Sequence, residues 1–238
     1  MKKFYIFVLI ASLAFFACKK ESENIKEESL SKKFAKYQSW VYADKNLKKG
    51  IALLNKAEPV ELISLEKARG KEPEIAKIRM TDDTVGYIKT ESLAEKPIVF
   101  TTHTKAFVRN NTGSAVHATI PAGSLGFIIE EKADWIKVFI GKVGDKWING
   151  QWVKAGFSED ENLIVDAKTY EQAVNAIDSD QSNEKDKSDA VEKLKELVNA
   201  KNLFSELAKK KLSNLDIRAV TPVKDDKETP AVTENKQQ

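Results

Sequence analysis

Hydrophobic and polar positions divide the chain into four stretches of different texture. Residues 4–16 are apolar apart from Ser12. Residues 19–38 (KKESENIKEESLSKKFAKYQ) are mostly charged, with few large apolar side chains. That composition predicts a flexible tether, helical towards its end. A helix packed through Leu30, Phe34 and Tyr37 is the alternative reading of the same segment.

From about residue 39 to 158 short β-favouring runs alternate with turn signals. IALL (51–54), PVELISL (59–65), IAKIRM (75–80) and VGYIKTESL (85–93) come first, with Asp82-Asp83 as the turn before the last. AFVRN (106–110), HATIPAGSLGFIIEE (117–131), DWIKVFIG (134–141) and QWVKAG (151–156) follow, with a turn at Asn111-Thr112-Gly113. The run Trp135-Ile136-Lys137-Val138-Phe139-Ile140 is apolar on both sides, as in a strand of a small closed barrel.

Helical periodicity takes over after residue 158. Asp166 is placed to cap a helix over 167–177, with Tyr170, Ala173, Val174 and Ile177 on one face. One longer helix is predicted within 183–215. Ser188 precedes its core, and Val191, Leu194, Leu197, Val198, Leu203, Phe204, Leu207 and Leu212 form its apolar stripe. Lys209-Lys210-Lys211 fall in its last turns, where cations suit the helix dipole. Residues 219–238, rich in Thr, Pro, Lys and Glu, read as a disordered tail.

The N-terminal apolar run follows Lys2-Lys3 and ends at Ala17-Cys18. It is too short to cross a hydrocarbon core of about 30 Å and has the layout of an export signal. A small residue directly before Cys resembles the bacterial lipobox. The resemblance implies cleavage after Ala17 and a lipidated Cys18 bearing acyl chains of the palmitate kind. Phe15 and Phe16 depart from the usual Leu and small residue, and such relaxed boxes resemble those of spirochaete lipoproteins. Lys19-Lys20 do not resemble the Asp retention signal of enteric bacteria, which points to the outer membrane.

Cys18 is also the single cysteine, so no internal disulfide can form and the core must hold the fold alone. Each buried CH₂ contributes about 0.8 kcal/mol to membrane attachment, so two or three chains on one Cys amount to a permanent anchor.

Charge narrows the partners. Lys2 and Lys3 leave with the leader, so 37 basic residues face 36 acidic ones in the mature chain, a net charge of +1. Charged residues make up 32 % of the whole, with both signs mixed, which describes a solvated surface and argues against nucleic acid as partner. The membrane is contacted through the lipid.

The β-rich stretch reads as two copies of one unit. Glu58-Pro59-Val60-Glu61-Leu62-Ile63 answers to Pro121-Ala122-Gly123-Ser124-Leu125-Gly126-Phe127-Ile128. Lys77-Ile78-Arg79 answers to Trp135-Ile136-Lys137-Val138, and Val85-Gly86-Tyr87-Ile88-Lys89 to Gly150-Gln151-Trp152-Val153-Lys154. Val108-Arg109, Gly123 to Phe127, Asp134 to Val138 and Gly150-Gln151-Trp152-Val153 together resemble bacterial SH3-like domains. Gln151 between Gly and Trp, and an insertion at 141–150 containing Trp147, depart from that pattern. The first copy resembles it less: Ala52-Leu53 stand for Val-Arg, the central Trp is missing, and Gly86-Tyr87-Ile88 close the unit.

The residues offer little for catalysis. A Cys-His peptidase has no free thiol in the mature chain, and His103 and His117 lack metal-ligand spacing. No nucleophile elbow is present. Gly123-Ser124-Leu125-Gly126 lacks the Lys-Ser/Thr and helix of a phosphate cradle and reads as a barrel turn. Trp147, Trp135, Trp152 and Tyr87 are the candidate ligand-binding residues, because flat rings stack on apolar ligand faces. Trp135 and Trp152 also suit a core-filling role; Trp147, set in the insertion, is the first candidate.

The expectation is therefore an α+β protein with two small SH3-like β-barrels followed by a C-terminal helical region. Its parts are a leader (1–17), a lipidated tether (18–39), a divergent SH3-like unit (40–97), a second such unit (98–158), a helical region (159–218) and a loose tail (219–238). It is expected to be no enzyme and to need no cofactor or metal. The resemblance implies a binding or scaffold module of the cell envelope, with cell-wall peptide (peptidoglycan) or an envelope protein as partner. A surface lipoprotein contacting host molecules is the alternative.

Overall fold

The computed structural model describes residues 31–66 and 74–220. Ala17, Cys18, the start of the tether and the tail from 221 lie outside the described residues. Among the described residues the architecture is α+β: fourteen strands in two sheets, with a 3-10 turn at Thr90–Ser92, then three α-helices.

The first sheet contains β1 (Ser31–Ala35), β2 (Ser39–Tyr42), β3 (Gly50–Leu54), β4 (Pro59–Glu66), β5 (Ile75–Arg79), β6 (Val85–Lys89) and β7 (Leu93–Ala94). The second contains β8 (Lys96–Phe100), β9 (Thr104–Phe107), β10 (Val116–Ile120), β11 (Leu125–Lys132), β12 (Trp135–Val143), β13 (Lys146–Val153) and β14 (Phe157–Ser158). Strand order is β3-β2-β6-β5-β4-β1-β7 in one and β10-β9-β13-β12-β11-β8-β14 in the other. Adding seven to each strand number of the first sheet gives the second, so the internal repeat extends to topology.

Register repeats as well. Leu62 faces Ile78 as Ile128 faces Val138, and both ladders then slip by one residue, before Ser64 and before Glu130. Tyr42 faces Tyr87 as Phe107 faces Trp152. The repeat is nevertheless offset from the reading that set Ala52-Leu53 against Val108-Arg109. Ala52-Leu53 belong to β3, whose counterpart is β10, while Val108 follows β9, the counterpart of β2.

Each sheet curls around its own interior. Ala35, Val41, Leu54, Val60, Leu62, Ala76, Ile78 and Ile88 fill the first. Ile98, Phe100, Ala106, Ile120, Ile128, Ile136, Val138, Ile140, Ile148 and Val153 fill the second. Six strands contribute to each cluster, and burial of such aliphatic side chains contributes about 1.5–3 kcal/mol apiece. Among the described residues the pairing runs from β3 to β7 and from β10 to β14 without joining the ends. The sheets are thus curled and open, where the sequence pattern predicts closed barrels.

Three further expectations change. Residues 31–35, assigned to the tether, form β1: Ser31 to Phe34 pair with Leu62 to Pro59, and Ala35 is fully buried. This strand is held by ladder hydrogen bonds, which do not depend on side-chain type. Lys96–Phe100 likewise belongs to the second sheet as β8, paired with β11 and β14, so that sheet starts ahead of residue 98. The stretch 141–150 continues β12 and β13 as a hairpin turning at Gly144-Asp145, with Lys142 facing Trp147.

The helices are α1 (Glu161–Asp178), α2 (Glu184–Leu197) and α3 (Leu203–Val220). Asp160, rather than Asp166, caps α1: its carboxylate accepts from Leu163 N–H at 2.9 Å. Asp166 lies inside the helix and accepts from Asn202 Nδ2 at 2.7 Å. Asn183 caps α2 by accepting from Asp186 N–H at 2.9 Å. The single long helix predicted within 183–215 is two. Residues 198–202 break it, and the Asn202 side chain accepts from Phe204 N–H at 2.9 Å to start α3. An Asn that caps locally ends the preceding helix although the apolar stripe continues across it.

The helices cover the outer face of the second sheet. Val99, Leu125, Phe127 and Phe139 join Ala167, Ala173, Ala190, Leu194, Leu197, Phe204 and Ala208 in one cluster. This explains why β12 is apolar on both sides: Ile136, Val138 and Ile140 face the interior and Phe139 faces the helices. At the places in the first sheet that match Phe127 and Phe139 stand Glu61 and Arg79, ion-paired at 2.8 Å. The first sheet's outer face, bare of helices there, is polar.

Candidate functional site

A groove of about 1160 Å³ opens where three parts of the chain meet. The first sheet contributes Lys36, Tyr37, Asn55 and Lys56, from its β1–β2 and β3–β4 connections. The second contributes the Pro121-to-Leu125 turn, Phe139 to Val143 and Trp147. Lys168, Tyr170 and Glu171 come from α1, and Leu207 from α3.

Its floor is aromatic. Phe139, 6 % exposed, stands between Tyr37 (ring centroids 5.9 Å apart) and Trp147 (6.4 Å, edge-on). Tyr37 is 40 % and Trp147 58 % exposed, so two of the three rings present faces to solvent. Tyr37 Oη is anchored 3.2 Å from Ser92 Oγ, and its ring is thereby oriented. Trp147 is held on the β12–β13 hairpin, and His117 Nε2 lies 3.1 Å from the Trp147 carbonyl.

Its rim is basic. Lys56 Nζ contacts both carboxylate oxygens of Glu171 at 3.0 Å and ties the first sheet to α1. Lys36, Lys142 and Lys168 add three cations, so four lysines face one carboxylate in the lining. Lys36 Nζ sits 5.4 Å from the Phe139 ring centroid. Burial lowers its pKa from the ordinary lysine value, with Glu91 pulling the other way. Tyr170 keeps its phenol protonated further into the alkaline range, through burial and then the Asp178 charge.

Of the four aromatic candidates only Trp147 lines the groove. Trp135 and Trp152 are buried, at 6 % and 8 % exposure, but they do not fill the sheet interior. They lie on the outer face, Trp135 edge-on to Phe107 at 5.5 Å and Trp152 under Lys137 Nζ at 4.8 Å. Tyr87 faces Tyr42 across the first sheet, away from the groove lining. Tyr37, Phe139 and the lysines carry no local motif. Phe139 alone left a trace in the sequence, as an apolar residue on the second side of a strand.

The turn at Gly123 does not cradle phosphate. Gly123 N–H donates to the Phe100 carbonyl at 2.7 Å and Ser124 N–H to the Pro121 carbonyl at 3.3 Å, so both donors are spent within the fold. Gly123 is at φ +86°, and a Cβ there would stand 2.5 Å from Leu207 Cδ1. Glycine is what lets this turn pass under α3. Among the described residues no three His, Cys, Asp or Glu side chains gather as a metal site.

A family model described as Lipoprotein LenA matches residues 5–216 of the chain. No curated protein matches it. Among solved structures, NlpC2 from Trichomonas vaginalis is similar at 13 % identity and TM-score 0.25, over 63 % of this chain and 56 % of that one. NlpC1 from the same organism is similar at 13 % identity and TM-score 0.24, over 61 % and 52 %. The chain spans about half the length of these solved chains, and likeness at that level transfers neither fold nor chemistry.

Proposed function

The chain belongs to the lipoprotein LenA family, a bacterial lipoprotein family, and from that premise we propose that it is a lipid-anchored, non-enzymatic binding module of the cell envelope. Cys18 carries the lipid after cleavage of residues 1–17, and the matched span takes in Cys18 and most of the apolar run before it. The relaxed box is of the spirochaete kind, and outer-membrane delivery is the destination that Lys19-Lys20 favours. The two sheets are read as divergent SH3-like units; their common strand order and register support the reading of a duplicated small β domain.

The observation that carries the binding role is the exposed Trp147 beside Tyr37 and Phe139 in a groove lined by four lysines. Exposed rings on a rigid floor lose little entropy on binding, and lysines supply the complement to carboxylates. A short carboxylate-bearing peptide, of the kind found in cell-wall stems, fits this chemistry; an acidic segment of an envelope protein is the second choice. Retention of the chain on purified peptidoglycan tests it. Trp147→Ala is expected to weaken retention by about thirtyfold, the loss typical of an aromatic anchor. Equal retention of variant and wild type removes Trp147 and the groove from the account.

A further inference from the structure

The duplicated topology provides an internal control for every surface position. On the edge hairpin β2–β3 of the first sheet, Trp40 faces Leu53 across the ladder. Trp40 is 53 % and Leu53 39 % exposed. The matching hairpin β9–β10 of the second sheet holds Lys105 opposite Thr119. Burial follows the same course in both, with Ser39 and Val41 buried as Thr104 and Ala106 are. The fold therefore does not require apolar side chains at these places, and in the first sheet they are kept apolar in the face of water.

Cations border this patch. The Trp40 ring leans over Gly50, where a Cβ would stand 2.8 Å from the ring. Gly50 directly follows the β2–β3 turn, which carries Lys48 and Lys49, both exposed. Lys45 in the same turn pairs with Glu66 at 3.3 Å, and Asp44 spends its carboxylate on Asn46 N–H. A tryptophan beside a leucine, rimmed by lysines, is the composition that settles at a bilayer interface. The ring enters the headgroup layer, and the lysine stems lie along it with their charges on anionic phosphates.

The chain outside the described residues supplies the reach. Twelve residues lie between Cys18 and Ser31, thirteen steps along the chain, and at 3.3–3.6 Å per step they extend at most about 45 Å. The tether enters the fold at β1 of the first sheet, so that sheet is the point of attachment. At that tethered concentration a weak surface contact suffices.

We propose that the β2–β3 hairpin docks on the bilayer that holds the anchor, with Trp40 and Leu53 in the headgroup layer and Lys48 and Lys49 on anionic lipids. This rests on the anchor reading at Cys18. Docking there fixes the first sheet against the membrane and leaves the groove on a separate set of residues to receive its ligand.

The mature full-length chain, reconstituted in vesicles of phosphatidylethanolamine and phosphatidylglycerol brominated near the glycerol end of the acyl chain, reads the contact by quenching of tryptophan emission. The variant Leu53→Thr copies the second sheet and keeps Trp40 as reporter. It is expected to lower the quenching at least about threefold, and Trp147→Ala to leave the quenched component in place. Absence of quenching in the wild type, or equal quenching in Leu53→Thr, overturns the proposal. So does a wild-type dimer that Leu53→Thr abolishes without any quenching, which assigns the face to a second copy. The mass of the mature chain reports acylation separately. An unacylated chain with patch-dependent quenching would remove the anchor and keep the docking surface.

Discussion

Phe204→Ala is expected to lower the unfolding free energy by about 3–5 kcal/mol, the largest effect of any single truncation in the helical layer. Phe204 is fully buried and its ring lies 5.7 Å from that of Tyr170. It joins α3 to the outer face of the second sheet, in one cluster with Phe127, Leu125 and Leu194. Truncation leaves a cavity where α3, α1 and the second sheet meet. The backbone N–H of Phe204 is also the donor to the Asn202 side chain, so the helix start is retained and the loss is one of packing. The midpoint of urea unfolding checks this, with Val165→Ala, 60 % exposed, as a control expected to change by no more than about 0.5 kcal/mol. Because Tyr170 and Leu207 line the groove, the same variant is expected to weaken ligand retention.

Cys18→Ala is expected to abolish lipid attachment and leave an uncleaved precursor. The thiol is the acceptor of the diacylglyceryl group in the lipobox reading, and the chain has no second thiol to replace it. Two or three acyl chains hold a protein at a membrane almost irreversibly, whereas the docking hairpin alone is a weak, reversible contact. Labelled fatty acid should appear in the wild-type protein and be missing from the variant. Label in the variant would place the acylation elsewhere and remove the anchor from Cys18.

The sequence was most readable where residues constrain the backbone. The turn at Asp82-Asp83 forms between β5 and β6, with Asp83 at φ +64° and its N–H on the Met80 carbonyl. The turn at Asn111-Thr112-Gly113 closes β9 onto β10 through Ser114 N–H and the Asn111 carbonyl. β1 was not readable, because SKKFA carries little side-chain preference and is a strand only through β4 and β7. The two-sided apolarity of β12 was visible, but its cause lay elsewhere in the chain. Phe139 is covered by helices that begin more than twenty residues later, and a curled sheet with such a cover leaves the same local signature as a closed barrel. Asn202 was overlooked because apolar periodicity runs on across it, while its capping bond is a property of the folded turn.

The groove was legible only in part. Trp147 stood out as a large aromatic without a packing role. Its companions Tyr37, Phe139 and Lys56 with Glu171 come from segments far apart in the chain, Lys56 and Glu171 alone being separated by 115 residues, and only the fold brings them together. Tyr37 falls in the charged stretch that reads as a tether, because the strand pairing on either side of it leaves no local signal. Trp135 and Trp152 looked equivalent to Trp147 by residue type, yet each is consumed by a neighbour, Phe107 and Lys137 respectively.

The central claim is that the Tyr37–Phe139–Trp147 groove binds a carboxylate-bearing wall peptide. It is tested most directly by titrating a soluble stem peptide into the chain while following tryptophan fluorescence, for wild type and Trp147→Phe. A saturable change is predicted in the wild type, lost in the variant, with affinity falling as salt rises because lysines face the ligand. No saturable change in the wild type, or an identical one in Trp147→Phe, would contradict the account.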